Sequence, residues 1–284
     1  MTTAIVSAMQ EELSAVLALL QAQPVEVAGR TFWRGVCHGE PVVAVLSRIG
    51  KVAAATTATT LIERFGVSRI VFTGVAGGLS PQVRVGDVVV AHGFLQHDLD
   101  ASPLFPRYEV PLYGRAQFSV DAALTASLRV AAQQALPRLL AQLPMTSRLG
   151  LPLGQARVLS GLVVSGDRFV SSHAESQDLQ QRLPDALAVE MEGAAMAQVC
   201  HDYQVPFAAV RIISDRADDD ATVDFLHFIR EIAARYSAEV ISALLPQLAA
   251  QRQTQPGGHR QLRQQARQCL LGGHPQRSGQ GGID

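Results

Sequence analysis

Apolar and polar positions along this chain switch repeatedly between the period of a strand and that of a helix. Ala4–Ala8 is a short apolar run of buried-strand length, and from Glu11 to Leu20 the spacing turns helical, with Leu13, Val16, Leu17 and Leu20 on one side. Thr31–Val36 and Pro41–Leu46 predict a β-hairpin around His38-Gly39-Glu40, followed by an Ala/Thr-rich helix over Lys51–Phe65. Strands are expected at Arg69–Thr73 and Val88–Ala91, the first ending in a glycine-rich turn, Gly74–Gly78. Residues 96–116 hold three prolines and predict a long ordered loop. Asp121–Leu143 predicts a helix broken at Pro137, and Pro144–Gly154 a linker. Arg157–Ser165, Ala186–Glu190 and Phe207–Ile213 read as strands, and Gly193–Tyr203 and Val223–Leu245 as helices. Strands alternate with helices, so the fold class is α/β, with a mostly parallel or mixed sheet covered on both faces.

Composition narrows this picture. The chain has 284 residues, 48% hydrophobic and 17% charged, enough for one large core. The formal net charge is −1, but residues 251–284 carry five arginines and one acid, so the rest holds 19 basic and 24 acidic residues. A nucleic-acid binder shows the opposite balance. The same tail contains seven glycines and nine glutamines, and it predicts little packed structure beyond a short helix near His259–Leu271. The expected organisation is one domain over 1–250 and a poorly ordered tail over 251–284. Cys37, Cys200 and Cys269 lie far apart with no CxxC pair, which argues against a disulfide framework or a zinc site. Glu11 and Glu12 interrupt the N-terminal apolar run, so it does not read as a signal peptide, and no window reaches the ~18–20 apolar residues of a membrane span. A cytoplasmic protein is expected.

Candidate chemistry gathers where ligands collect in open α/β sheets, at the C-terminal ends of strands. Glu12 follows the first strand, Gly74–Gly78 a middle one, and Phe169 the polar turn Ser165-Gly166-Asp167. Glu190 and Glu192 stand at the end of Ala186–Glu190, and Arg211, Ser214 and Asp215 at the end of Phe207–Ile213. Buried acids and arginines are rare unless paired or functional. Each feature also has a plain structural explanation. Glu12 and Glu192 suit the first turn of a helix, Arg211 and Asp215 a structural ion pair, Phe169 a core aromatic, and the glycines a tight turn or a close backbone approach. The glycines fit neither a Walker A loop nor a dinucleotide fingerprint. Asp218-Asp219-Asp220 lacks EF-hand spacing, and no metal ligand set is assigned.

Six motifs together resemble the 5′-methylthioadenosine/S-adenosylhomocysteine nucleosidases of the purine nucleoside phosphorylase/hydrolase superfamily. They are Ser7–Glu12, Ile49–Ala54, Thr73–Gly78, Val164–Phe169, Val189–Ala194 and Val210–Asp218, and the resemblance spans about residues 4–245. It implies a three-layer fold in which helices flank a central mixed β-sheet that is partly barrel-like. It implies that Glu12, helped by Arg211, holds the attacking water. Asp215, supported by Ser214, would act as general acid at adenine N7. Glu192, with Met191 and Glu190 beside it, would bind the ribose. Phe169 would stack on the purine and the Val170 backbone would read its edge, with Ala76 and Gly77 on the ligand side. Met9, Ile49 and Phe225 would line apolar walls. No metal or organic cofactor is implied. The partners implied are a small adenine thionucleoside and a second copy of the chain, whose loop 98–113 closes the neighbouring site.

The chain departs from that pattern at Val75, where many members have a hydroxyl residue, at Gln10, in the Pro-rich stretch 96–113, in the Pro144–Gly154 insertion and in the tail. The chemistry accounts for the residue types. Adenine leaves as a neutral base only if N7 is protonated, so its acid belongs in a dry setting that favours the neutral carboxyl. Acidic groups near the ribose stabilise the oxocarbenium-like charge that develops there. Three other functions fit the fold: a phosphate-dependent purine nucleoside phosphorylase, with Arg48 the nearby cation; a hydrolase of a related adenine nucleoside in menaquinone synthesis; and a non-catalytic adenine-nucleoside binder.

Overall fold

A computed structural model describes residues 1–142, 156–218, 228 and 232–254. By internal contacts the chain divides into Met1–Ala249 and Ala250–Asp284. The linker 144–154, Asp219, Asp220, Phe225 and everything after Thr254, including the helix expected near 259–271, lie outside the described residues.

The strands are β1 (Thr3–Ser7), β2 (Gln21–Val27), β3 (Arg30–Cys37), β4 (Glu40–Leu46), β5 (Arg69–Gly78), β6 (Val88–Gln96), β7 (Gln117–Ser119), β8 (Val158–Ser165), β9 (Ala186–Glu190) and β10 (Phe207–Asp215). The helices are α1 (Gln10–Leu17), α2 (Lys51–Phe65), α3 (Ala122–Gln142), α4 (His173–Arg182), α5 (Gly193–Asp202) and α6 (Ala234–Thr254). Five strands close a ring in the order β10-β6-β8-β9-β5 and back to β10, and β1-β4-β3-β2 continue outward from β5. β1 runs parallel to β4 and β5, while β9 meets β5 antiparallel at Gly77↔Val189 and Gly78↔Ala188, so the sheet is mixed.

Side chains on a strand point alternately to the two faces, and here both faces are buried. Ile5, Val71, Val210 and Ile212 pack in the core with Leu128 and Leu136 of α3 and Ile241 of α6. Their neighbours Ala4, Val6, Phe72 and Ala209 pack on the other side with Ala58 and Leu61 of α2 and Met196 of α5. This is why β1 and β10 read as continuous apolar runs rather than alternating ones.

The structure departs from the sequence expectations in several places. Gly74–Gly78 is not a turn: β5 continues through it, pairing with β10 as far as Gly77↔Asp215. β6 likewise runs on past His92 and Gly93, across a bulge between Ala91 and Gly93. α3 is not broken at Pro137, because Ala135, Leu136 and Leu139 remain buried on either side of it. The last helix extends to Thr254, past the expected Leu245. β2 was not foreseen. It is an edge strand with mostly exposed polar residues and Pro24, so it lacks the apolar signal of a buried strand. α4 is also polar, burying only Ser176 and Leu179. Its signal was the capping pair Ser172 and Glu175, in which the Glu175 N–H donates to Ser172 Oγ. Among the described residues, no helix is long and apolar enough to cross a membrane.

Candidate active site

Glu12 sits in the first turn of α1, just past the end of β1, and is fully buried. Its Oε2 reaches back to accept the Met9 N–H at 3.2 Å, while Oε1 accepts no hydrogen bond from the described residues. A first-turn carboxylate gains from the helix dipole while solvated, so full burial serves some other purpose. Burial pushes the Glu12 carboxyl from 4.5 to about 7, although the nearby Arg211 charge and the Met9 N–H pull it down. Gly74 lies against this group: a Cβ there would stand 3.6 Å from both carboxylate oxygens and 3.8 Å from Arg211 Nη1.

Glu190, the last residue of β9, spends its oxygens on the protein. Oε1 accepts from Ser165 Oγ and from the Gly193 N–H at 2.9 Å. Oε2 accepts from Arg211 Nη2 at 2.8 Å and from the Glu192 N–H at 3.2 Å. Arg211 also donates to the carbonyls of Phe72 and Val210 and lies over the Phe72 ring, 3.9 Å from its centroid. The structural ion pair of Arg211 is therefore with Glu190 rather than with Asp215. Glu192, at the N-cap of α5, accepts the Gly50 N–H on Oε1 at 2.9 Å. Burial, reinforced by the Glu190 charge, pushes its carboxyl from 4.5 to about 8.

Ser214 and Asp215 end β10 and are both buried. Ser214 Oγ donates to Asp215 Oδ2 at 2.7 Å, and the Ala217 N–H donates to Oδ1 at 2.8 Å. Gly77 on the neighbouring strand allows this approach, since a Cβ there would lie 3.0 Å from Asp215 Oδ1.

These strand ends enclose a cavity of about 350 Å³. Ile49, Ala76, Gly77, Phe169, Val170, Glu190, Met191, Glu192, Ser214 and Asp215, all anticipated from the sequence, line it. Ala8, Val75, Arg168 and Val189 line it as well. Each is sequence-adjacent to an anticipated residue or motif end, which was the available signal. Glu12 and Arg211 are not in the lining; both lie against Gly74, one residue before the lining residue Val75. Met9 is half-buried and packs on the core beside α1, and Phe225 lies outside the described residues. No group of three or more His, Cys, Asp or Glu side chains among the described residues could hold a metal ion. A second, more polar groove opens at the opposite end of β10, beside Phe207, Asp121 and His201.

The chain matches a family model described as the phosphorylase superfamily over residues 2–246. It is 35% identical over 251 residues to a 5′-methylthioadenosine/S-adenosylhomocysteine nucleosidase of Shewanella denitrificans, covering 87% of this chain and 100% of the relative. The crystal structure of the Neisseria meningitidis nucleosidase of the same name, in complex with methylthio-immucillin-A, superposes with a TM-score of 0.76 at 32% identity, covering 87% of this chain and 99% of that one. The native structure of futalosine hydrolase of Helicobacter pylori gives 0.75 at 30% identity, covering 87% and 97%. Fold, cavity and relatives agree: the chain belongs to the 5′-methylthioadenosine/S-adenosylhomocysteine nucleosidase family of the phosphorylase superfamily.

Proposed function

We propose that this protein hydrolyses the N-glycosidic bond of 5′-methylthioadenosine and S-adenosylhomocysteine, releasing adenine and the thioribose. The observation that carries this reading is the cavity's polarity pattern. Phe169, Val170 and Ile49 supply apolar lining and the buried acids Asp215 and Glu192 its polar points, with the buried Glu12 beside Gly74 next to the lining residue Val75.

Phe169 and Val170 hold the purine, and Asp215 delivers a proton to N7 as the bond breaks. Ser214 Oγ assists because a hydroxyl can turn. It donates to Asp215 Oδ2 when the acid is ionised, and it has Ala76 O within 3.4 Å as an alternative acceptor when Oδ2 carries the proton. Glu192, with Met191 beside it, takes the ribose hydroxyls. Glu12 orients water toward the anomeric carbon, and its free Oε1 is the oxygen available for that task. When ionised, each of these acids places negative charge near the sugar as positive charge develops there, an interaction stronger in the transition state than in the ground state. Glu190 and Arg211 hold the frame on which these groups are mounted. No cofactor takes part in this scheme.

A phosphorylase would need a cation where water attacks. Arg48 instead donates to the Gly29 carbonyl on the β2–β3 turn, and the buried Glu12 would repel a phosphate dianion. Residues 1–250 carry the activity, and 251–284 are dispensable for it. A second copy of the chain closes the thioalkyl end through residues 98–113, where Leu104 and Leu112 are 85% and 92% exposed. The reaction takes place in the cytoplasm.

The test is adenine release from purified protein without phosphate, with methylthioadenosine, adenosylhomocysteine and futalosine as substrates, the last because of the similarity to futalosine hydrolase. A free sugar product in phosphate-free buffer is expected. Release that requires phosphate and yields a sugar 1-phosphate would replace this reading with the phosphorylase. Light scattering should give a dimer, and charged residues at Leu104 and Leu112 should dissociate it.

A further inference from the structure

Two stretches of backbone that wall the cavity, around Ile49 and around Phe169, are fastened to each other and to the segment after β6 at Asp98 by side chains that take no part in the hydrolysis described above. The first amide of α2, Lys51 N–H, donates to Asp167 Oδ1 at 2.7 Å. The Asp167 N–H donates to Asp98 Oδ2 at 2.9 Å. The Lys51 ammonium closes the circuit, pairing with Asp98 Oδ1 and lying 3.7 Å from Asp167 Oδ2. Each member adjoins a functional stretch. Lys51 follows Ile49 and Gly50, Asp167 precedes Phe169 by two positions, and Asp98 opens the segment 98–113. Gly50, held at φ 96° as the N-cap of α2, is the residue that donates to Glu192 Oε1.

Helix stability alone does not explain this circuit. Asp167 would satisfy the first amide of α2 without help from the other two. A lysine ammonium over its own helix N-terminus is unfavourable, because that end of the helix is already positive. Lys51 is nevertheless folded back there, its side chain only 16% exposed, between two carboxylates.

We propose that Lys51, Asp98 and Asp167 form one positioning unit, which sets the gap between Phe169 and Ile49 and keeps Gly50 on Glu192. The proposal rests on the nucleosidase reading for its substrate. If the unit loosens, the purine wall and the sugar wall drift apart, and Glu192 loses its backbone donor in the same movement. Binding suffers first, because the slot is no longer preformed.

The test compares Lys51→Met, Asp98→Ala and the double variant with wild type, using methylthioadenosine kinetics, adenine binding and amide exchange at Lys51 and Asp167. Each single variant is expected to raise KM about tenfold while kcat changes less than about threefold, the signature of lost binding rather than lost chemistry. The double variant should be little worse than the worse single, as for residues in one network. Lys51→Arg should recover most of the loss. Amide exchange at Lys51 and Asp167 should quicken in Asp98→Ala, with the melting temperature nearly unchanged. KM values within twofold of wild type in both singles, or effects that simply multiply in the double, would overturn the unit. If wild type releases adenine from no nucleoside, the nucleosidase reading fails instead. Adenine affinity and amide exchange in Asp98→Ala then decide the unit: unchanged values refute it and weakened ones uphold it.

Discussion

Arg211 Nη2 donates to Glu190 Oε2 at 2.8 Å, and the two side chains are 1% and 4% exposed. Removing one partner of a buried pair strands the other charge, which typically costs about 3–5 kcal/mol. Arg211→Met should therefore lower unfolding free energy by roughly that amount, measured by urea titration followed by circular dichroism. Adding Glu190→Gln to Arg211→Met should restore part of the loss. A double variant as unstable as the sum of the singles would show that the pair is not a unit.

Asp215→Asn should reduce kcat for adenine release by about 10²–10⁴-fold, the usual worth of a general acid. Asn keeps the shape: its Oδ1 can still accept the Ala217 N–H, and its amide nitrogen can donate to Ser214 Oγ, which is free to turn, so the far-ultraviolet spectrum should not change. Turnover within tenfold of wild type would remove Asp215 from the role of acid.

Glu12→Gln should stall hydrolysis and also change stability in a pH-dependent way. Burial raises the folded-state pKa to about 7, above the 4.5 of the unfolded chain. The protonated carboxyl therefore favours the fold at low pH, and this advantage disappears as pH rises through about 7. Gln is neutral throughout, so the variant should exceed wild type above pH 8 by on the order of 3 kcal/mol, and the gap should close near pH 4. Melting curves at both pH values check this, and a gap that widens toward acid would contradict the burial argument.

Gly77→Ala places a methyl 3.0 Å from both Asp215 Oδ1 and Ala217 Cβ. The acid must move by a few tenths of an ångström, and small displacements of reacting groups can cost up to about 10²-fold. A fall of roughly 10–100-fold in kcat with a nearly unchanged melting temperature is expected. Unchanged turnover would mean that the position of Asp215 tolerates more shift than the geometry suggests.

Truncation after Thr254 should leave the rate of adenine release unchanged, because every residue placed in the site precedes it. A marked loss of activity would assign the tail a share in the chemistry.

The sequence disclosed the buried strands and the acids at their ends, because β1, β9 and β10 are apolar runs and a charge stands out against them. It could not show that Glu190 commits its oxygens to Arg211 and its near neighbours while Glu192, two residues on, reaches the Gly50 N–H, although both line the cavity. Both are acids at one strand end, and only the closure of the ring separates their roles. It also hid β2 and α4, whose polar faces carry no apolar period, and it made β5 look shorter than it is. Gly74, Gly77 and Gly78 resemble a turn until the neighbours they make room for are in place. The rim residues Lys51, Asp98 and Asp167 come from three separate segments, and no spacing in the chain connects them.

β5 has consequences for how the protein comes into being. It pairs with β1 from the beginning of the chain and with β9 and β10 from far downstream, so the ring cannot close until β10 has been synthesised. Such distant pairings make folding slow and late. A nascent chain emerging from the ribosome must keep the apolar strand β5 waiting for its downstream partners. The acid Asp215, at the end of β10, therefore joins the strand that carries Gly77 only once nearly the whole domain has been made.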